Sequence, residues 1–211
     1  MALATQNSLF LHIPKTGGMF VRHALKICNI PNYEIGDQHS HFPYLLKFND
    51  EDFYKRLNTF VFVRNPLSWY QSRWAFRVKY GWKSIHPLDY NCASNDFKTF
   101  VGNSLRYMPN GWLTWEYLNY IDTVPGGIKH VGRLEKLTDD LAKILKAGNE
   151  RISVNAINNM PRINDSDMDG HSSGYYAKYT KDLARRVMAV ESEILRRYYH
   201  DIEIDIDKYC E

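Results

Sequence analysis

The stretch from His12 to Phe20 constrains this chain more than any other. Ser8-Leu9-Phe10-Leu11-His12-Ile13 is a short, mostly apolar run that stops at Pro14 and passes through Lys15 and Thr16 to Gly17-Gly18. Its length and punctuation predict a buried parallel strand entering a tight turn. From Met19 to Ile27, the residues Phe20, Val21, Ala24, Leu25 and Ile27 fall on one helical face, with Arg22, His23 and Lys26 opposite. That periodicity predicts an amphipathic helix, so the unit is strand, glycine turn, helix.

The pattern repeats. Thr59-Phe60-Val61-Phe62-Val63 reads as a strand that ends in Arg64-Asn65-Pro66 and leads to a helix from about Leu67 to Tyr80. Pro66 suits a first helical turn, where its missing N–H has no partner to lose. A third strand is predicted over Ile128–Val131, followed by a helix from about Leu134 to Lys146 that stops at Gly148. Strands alternating with helices imply an α/β fold around a mostly parallel sheet, in which ligands gather at the carboxyl ends of strands. Tyr80–Gly127 mixes Trp, Tyr, Asn and Pro and predicts short helices and loops, and Asn164–Gly174 reads as a polar loop. Thr180–Tyr199 is predicted as one long amphipathic helix, its Arg185, Arg186, Arg196 and Arg197 forming a solvated face balanced by Glu191 and Glu193.

Composition narrows the function classes. A length of 211 residues predicts one domain, 1–211, and 44% apolar with 24% charged residues excludes disorder, collagen and coiled coil. The net charge of +3 is too small for a protein that coats nucleic acid. Cys28, Cys92 and Cys210 are odd in number and lack paired spacing, so they read as free thiols in a reducing compartment. No apolar stretch approaches the ~20 residues of a membrane span or a signal h-region, and the reading is a soluble, cytoplasmic chain, with a lumenal catalytic fragment as the alternative.

A helix N-terminus leaves backbone N–H groups unpaired and carries partial positive charge, so Pro14-Lys15-Thr16-Gly17-Gly18 is a seat for a phosphate. Its glycines allow close backbone approach and Lys15 adds a full charge. A Walker A loop carries Lys after its last glycine and then Ser or Thr for magnesium, whereas Lys15 and Thr16 precede Gly17-Gly18. An ordinary ATPase is disfavoured.

His12-Ile13-Pro14-Lys15-Thr16-Gly17-Gly18 closely resembles the 5′-phosphosulfate loop of sulfotransferases that use 3′-phosphoadenosine 5′-phosphosulfate (PAPS). In that family a strand ends in an Arg, with Pro two and Ser eight residues on, and Arg64, Pro66 and Ser72 meet this spacing. Val131-Gly132-Arg133-Leu134-Glu135-Lys136-Leu137 is similar to a further strand-to-helix segment of the family, and Asn164 and Ser166 to a late nucleotide-covering segment. The resemblance implies a P-loop NTPase-like three-layer sandwich with a mostly parallel central sheet. It also implies PAPS as sulfonyl donor, held by Lys15, Thr16, Gly17, Gly18, Met19, Phe20, Arg64 and Ser72, with no metal required. The chain departs from the family at Met19-Phe20, where small hydroxyl residues are usual; this opens an alternative, a PAP- or PAPS-binding relative without strong catalysis.

Gln38-His39-Ser40-His41-Phe42-Pro43-Tyr44-Leu45 is similar to the His-x-His segment that carries the base in the Golgi-type, uronosyl 2-O-sulfotransferase branch. The resemblance makes His41 the first choice as general base, with His39 as substitute, and Lys15 the group that stabilises the departing phosphate. No acidic or cysteine partner sits at zinc-ligand spacing from the pair. His12 reads as a packed residue that shapes the loop. The expected acceptor is a hydroxyl, on a sugar or glycan. Trp69, Trp74, Trp82, Trp112 and Trp115 are open to two readings, stacking on pyranose faces or filling the layer under irregular loops. A third functional alternative is an ATP- and magnesium-dependent small-molecule kinase.

Overall fold

Short runs build the sheet, buried along its centre and more open at its two outer strands. In the computed structural model of the chain, which describes residues 2–37, 40–161 and 177–211, strands β1 (Ala2–Ala4), β2 (Ser8–Phe10), β3 (Tyr33–Ile35), β4 (Asn58–Val63) and β5 (His130–Arg133) lie in the order β3-β1-β2-β4-β5. β2, β4 and β5 are parallel, with Phe10 opposite Phe60 and Val63 opposite Arg133. β1 is antiparallel to both neighbours, Leu3 pairing with Phe10 and with Glu34. The protein is thus α/β with a parallel centre, as the alternation of elements predicts, and an antiparallel edge that the sequence reading lacked. The edge forms because a tight turn returns β1 directly onto β2, the Ser8 N–H donating to Thr5 Oγ1 at 2.9 Å.

The predicted strand Ser8–Ile13 ends at Phe10. Leu11 N still donates to Phe60 O at 3.0 Å, but Ile13 N turns back to Leu11 O at 3.2 Å, so the chain leaves the ladder before Pro14. The third strand starts at His130 rather than Ile128, because Gly126 and Gly127, at φ +78° and +79°, carry the preceding turn further along the chain.

Two compact units divide the chain, Met1–Arg64 with Glu116–Ile163 and Asn65–Trp115 with Asn164–Glu211. The first holds the whole sheet, helices α1 (Gly18–Ile27), α2 (Phe42–Leu45) and α3 (Glu51–Arg56), and a π-helix over Leu118–Asp122. In the second lie α4 (Pro66–Tyr80), α5 (Pro87–Cys92), α6 (Phe97–Tyr107) and the N-terminal turn of α7 (Trp112–Tyr117). The chain then adds α8 (Leu137–Ala147) and α9 (Val154–Asn158) to the first unit, and α10 (Lys181–Val190) and α11 (Ser192–Tyr198) to the second. The helix predicted from Leu134 opens as a 3-10 turn, Leu134–Lys136, before α8.

One face of the sheet carries the core of the first unit. Strand alternation puts Phe60 and Phe62 on the same side as Phe10, their ring centroids 5.1 to 6.5 Å apart. Phe20, Val21, Ala24 and Leu25 of α1, Leu141, Ile144 and Leu145 of α8, and Ile157 of α9 close over them. Each buried Phe, Val, Leu or Ile among them contributes about 1.5–3 kcal/mol of transfer free energy. Gly132 is required here: a Cβ would stand 2.4 Å from the Phe62 ring.

The second unit corrects two sequence readings. Thr180–Tyr199 is not one helix, because α10 and α11 meet at Glu191, and Glu191 is fully buried rather than on a solvated face. Its carboxylate accepts from Tyr70 OH (2.8 Å), Leu113 N (3.0 Å), Thr114 N (2.8 Å) and Thr114 Oγ1 (2.7 Å). It therefore caps α7 from 77 residues away along the chain, satisfying first-turn amides that have no intrahelical partner. Gly111 makes room for it, at φ +89° and with a Cβ position only 2.5 Å from Glu191 Oε2. Burial pushes the Glu191 carboxyl up, and the hydrogen bonds from Thr114, Tyr70 and Leu113 pull it back. Glu193 alone plays the expected surface role, bonded to Arg196 and Arg197 at 2.6 Å each. Of the five tryptophans left open to two readings, Trp69, Trp74 and Trp112 are buried among Tyr70, Phe97 and Phe100 and act as packing, whereas Trp82 is half-buried and Trp115 is exposed.

Among the described residues no helix is long and apolar enough to cross a membrane, and Cys28, Cys92 and Cys210 are free thiols.

Replacing Glu191 by Ala leaves two buried amides and two hydroxyls without their acceptor. Urea unfolding of the full chain is expected to show a loss of at least ~3 kcal/mol. A change within about 0.5 kcal/mol, the range of an ordinary surface substitution, contradicts the capping role.

Candidate functional site

The glycine turn is held from inside. Thr16 is fully buried and its Oγ1 donates to Ile13 O at 2.9 Å, which closes the turn that Pro14 begins. Lys15 sits at φ +67° and Gly17 at φ +92°, so two of three consecutive residues adopt left-handed backbone, costly for lysine and free for glycine. His12 is buried and stacks on Phe10 at 5.7 Å, which is the packed role expected of it. Its ring lies where a side chain at position 18 would project, since a Cβ there would come within 2.0 Å of His12 Cδ2 and Nε2. Gly17 is dictated both by its backbone and by packing, a Cβ there lying 2.7 Å from Leu134 Cδ1, and Gly18 by packing on His12.

Phe20 N and Val21 N both donate to Gly17 O, at 2.9 and 3.3 Å. The amides of Gly18 and Met19, in the first turn of α1, have no intrahelical acceptor, which is the geometry of an anion seat. Phe20 does not belong with the nucleotide contacts expected for it: its amide is committed to Gly17 and its ring is in the hydrophobic core. Met19 is 45% exposed, and because its thioether carries no hydrogen-bond donor only its backbone N–H can donate.

Arg64 leaves the end of β4 beside this turn, because β2 and β4 are parallel neighbours and their carboxyl ends share one edge of the sheet. Its Nη1 donates to Lys15 O at 3.2 Å, so the two cationic motifs meet. Tyr117, fully buried, fixes the Arg64 backbone from both sides: Arg64 N donates to Tyr117 Oη at 2.7 Å, and Tyr117 Oη donates to Arg64 O at 3.1 Å. Sequence reasoning missed Tyr117, and no local signal announces a phenol whose partner is a backbone 53 residues away. Arg133, opposite Val63 at the end of β5, puts a third cationic residue on the same edge, its N–H donating to Asp140 Oδ2 at 2.8 Å. Ser72 is half-buried in the second turn of α4, in the second unit.

His41 occupies the N-cap position of α2 and packs edge-on against Tyr120, ring centroids 4.5 Å apart. Burial lowers the imidazole pKa from its ordinary value, so the ring is neutral at pH 7 and able to accept a proton. Burial also raises the Tyr120 phenol, with the charge of Glu116 adding to it, which keeps Tyr120 protonated. A cavity of 420 Å³ opens beside His41, lined by Asp37, Ser40, Pro43, Tyr44, Asn119 and Thr123; neither Lys15 nor Arg64 is on that wall. His39, Asn164 and Ser166 lie outside the described residues. Among the described residues no group of three or more His, Cys, Asp or Glu side chains is arranged as metal ligands.

The chain matches no family model, no curated protein and no solved structure.

The packing of His12 on Gly18 gives a direct check. Gly18→Ala is expected to destabilise the full chain by about 1–3 kcal/mol, the usual cost of overpacking. Adding His12→Ala should recover most of that loss in chemical denaturation. Additive losses in the double variant contradict the contact.

Proposed function

We propose that this chain is a sulfotransferase that moves a sulfonyl group from PAPS to a hydroxyl acceptor, with a P-loop-like α/β fold and a cytoplasmic setting. The observation that carries the reading is the bond from Arg64 Nη1 to Lys15 O, which joins the two segments that resemble the donor-binding motifs of that family. The donor set suits a phosphate-rich ligand: a lysine ammonium, a guanidinium and first-turn amides, with the glycine turn held open by His12 and Thr16.

Lys15, the Gly17, Gly18 and Met19 backbone and Arg64 are the residues we assign to the nucleotide, together with Thr16 as the closure of the turn. Ser72 joins them by the family resemblance alone. PAPS supplies an activated sulfonyl group on a phosphate leaving group. Lys15 Nζ offsets the charge that develops on the phosphate side, a kind of stabilisation whose loss costs ~10²-fold or more in turnover. The neutral imidazole of His41 takes the proton of the acceptor hydroxyl, with His39 as the substitute base.

A second reading is a relative that binds the nucleotide and transfers little. It is favoured by Met19-Phe20, where an exposed thioether and a core ring stand in place of hydroxyl donors.

Three measurements test these roles. Thermal stabilisation of the full chain by 3′-phosphoadenosine 5′-phosphate, but not by ATP with magnesium, is the expected result; the reverse supports a kinase and overturns the proposal. Stabilisation without sulfonyl transfer to any hydroxyl acceptor supports the binding-only reading. With an acceptor in hand, Lys15→Ala should abolish transfer and Arg64→Ala should raise the apparent nucleotide constant far more than the acceptor constant. His41→Ala should lower turnover by about 10²–10⁴-fold with nucleotide affinity nearly intact. Because the base acts when neutral and burial depresses its pKa, kcat/KM should rise with pH through a midpoint below the ~6.5 of a free imidazole, and that acidic limb should vanish in His41→Ala.

A further inference from the structure

The cavity beside His41 is walled by two independently fixed segments. On one side, Gly36 at φ +71° turns the chain so that Ser40 N and Ser40 Oγ both donate to Asp37 O, at 3.0 and 2.7 Å. Tyr44 OH donates to Asp37 Oδ2 at 3.0 Å, which holds the Asp37 carboxylate at the wall. On the other side is the π-helix Leu118–Asp122, which presents Tyr120 to the His41 ring; Thr123 Oγ1, donating to Asn119 O at 2.7 Å, fastens its end. A π-helical turn is a rare distortion that appears frequently at functional sites.

The chemistry of the lining is specific. Ser40, Tyr44, Asn119 and Thr123 supply hydroxyl and amide groups, and Pro43 and the Tyr44 ring supply apolar surface, a combination that suits a polyhydroxy compound with one less polar face. The cavity's 420 Å³ falls within the range of small-ligand sites. With His41 neutral, the formal charge on the described lining is the carboxylate of Asp37. Lys47 stands over the Tyr44 ring, 4.6 Å from its centroid, and is not on the wall.

We propose that this cavity binds an uncharged or amine-bearing polyol and disfavours carboxylated ones. The site and its charge preference stand on the cavity itself; only in making the ligand the sulfonyl acceptor does the inference rest on the function proposed above. On that basis the acceptor is a neutral or amino sugar alcohol or glycoside, not a uronate, although the His-x-His segment resembles that of uronosyl enzymes.

The test is titration of the full chain, followed by NMR at pH 7 and low ionic strength, with methyl β-glucoside, glucosamine and glucuronate as probes. The neutral and amino probes are expected to bind at least ~3-fold more tightly than glucuronate, like-charge juxtaposition being the source of the difference and salt reducing it. Asp37→Asn should bring glucuronate level with methyl β-glucoside, and Asn119→Asp should widen the gap. Glucuronate binding as tightly as the neutral probe, no binding of any probe, or a preference unmoved by both variants overturns the proposal. Binding of 3′-phosphoadenosine 5′-phosphate is measured on the same samples: its loss with the sugar preference intact counts against the sulfotransferase reading alone, and its persistence without sugar binding counts against the cavity alone.

Discussion

Parallel pairing of β2 with β4 is the constraint on which the candidate site depends. Two strands that run the same way release their following segments at the same edge, so the turn after Phe10 and the arginine after Val63 are neighbours without any further design. The Phe10, Phe60 and Phe62 rings weld that pairing from one face, and α1 and α8 cover the rings. A one-residue slip of β4 against β2 would turn Phe60 and Phe62 away from the core. It would also separate Arg64 from Lys15.

The turn itself stores local backbone strain, at Lys15 in particular, and buried contacts from Thr16 and His12 hold it in place. Such pre-organisation suits a site that must receive an anion without rearranging. Electrostatically the first unit is divided. Lys15, Arg64 and Arg133 gather at the carboxyl edge of the parallel strands, while the His41 cavity carries Asp37 and a neutral imidazole. The phosphate-rich donor and the acceptor without negative charge proposed above match this division.

How much of this was legible in the sequence follows from the range of the interactions. The glycine turn, α1, β4 and α4 are readable because their signals are local: a period of two or 3.6, a proline at a helix start, glycines at a turn. Lys15 and Arg64 lie in such local signals, a glycine turn and a strand end, and their assignment to a nucleotide rests on the resemblance of those segments to donor-binding motifs. Glu191 and Tyr117 carry no such signal, because each acts on a backbone far away in the chain, and a glutamate between arginines on a periodic segment looks like any surface glutamate. The antiparallel edge escaped notice because β1 and β3 are three residues each, too short for periodicity to register. Phe20 shows the opposite failure: a position assigned by resemblance to a ligand is held by the core instead.

We propose that one edge of the sheet, at the turn of Lys15 and the end of β4, seats the phosphates of an adenosine nucleotide. A crystal structure of the full chain soaked with 3′-phosphoadenosine 5′-phosphate tests it most directly. The 5′-phosphate is expected within hydrogen-bond distance of Lys15 Nζ and of the Gly18 and Met19 amides, with the Arg64 guanidinium on the nucleotide's second phosphate. A nucleotide bound elsewhere, or one that touches the turn while Arg64 remains on Lys15 O with no phosphate near it, contradicts it.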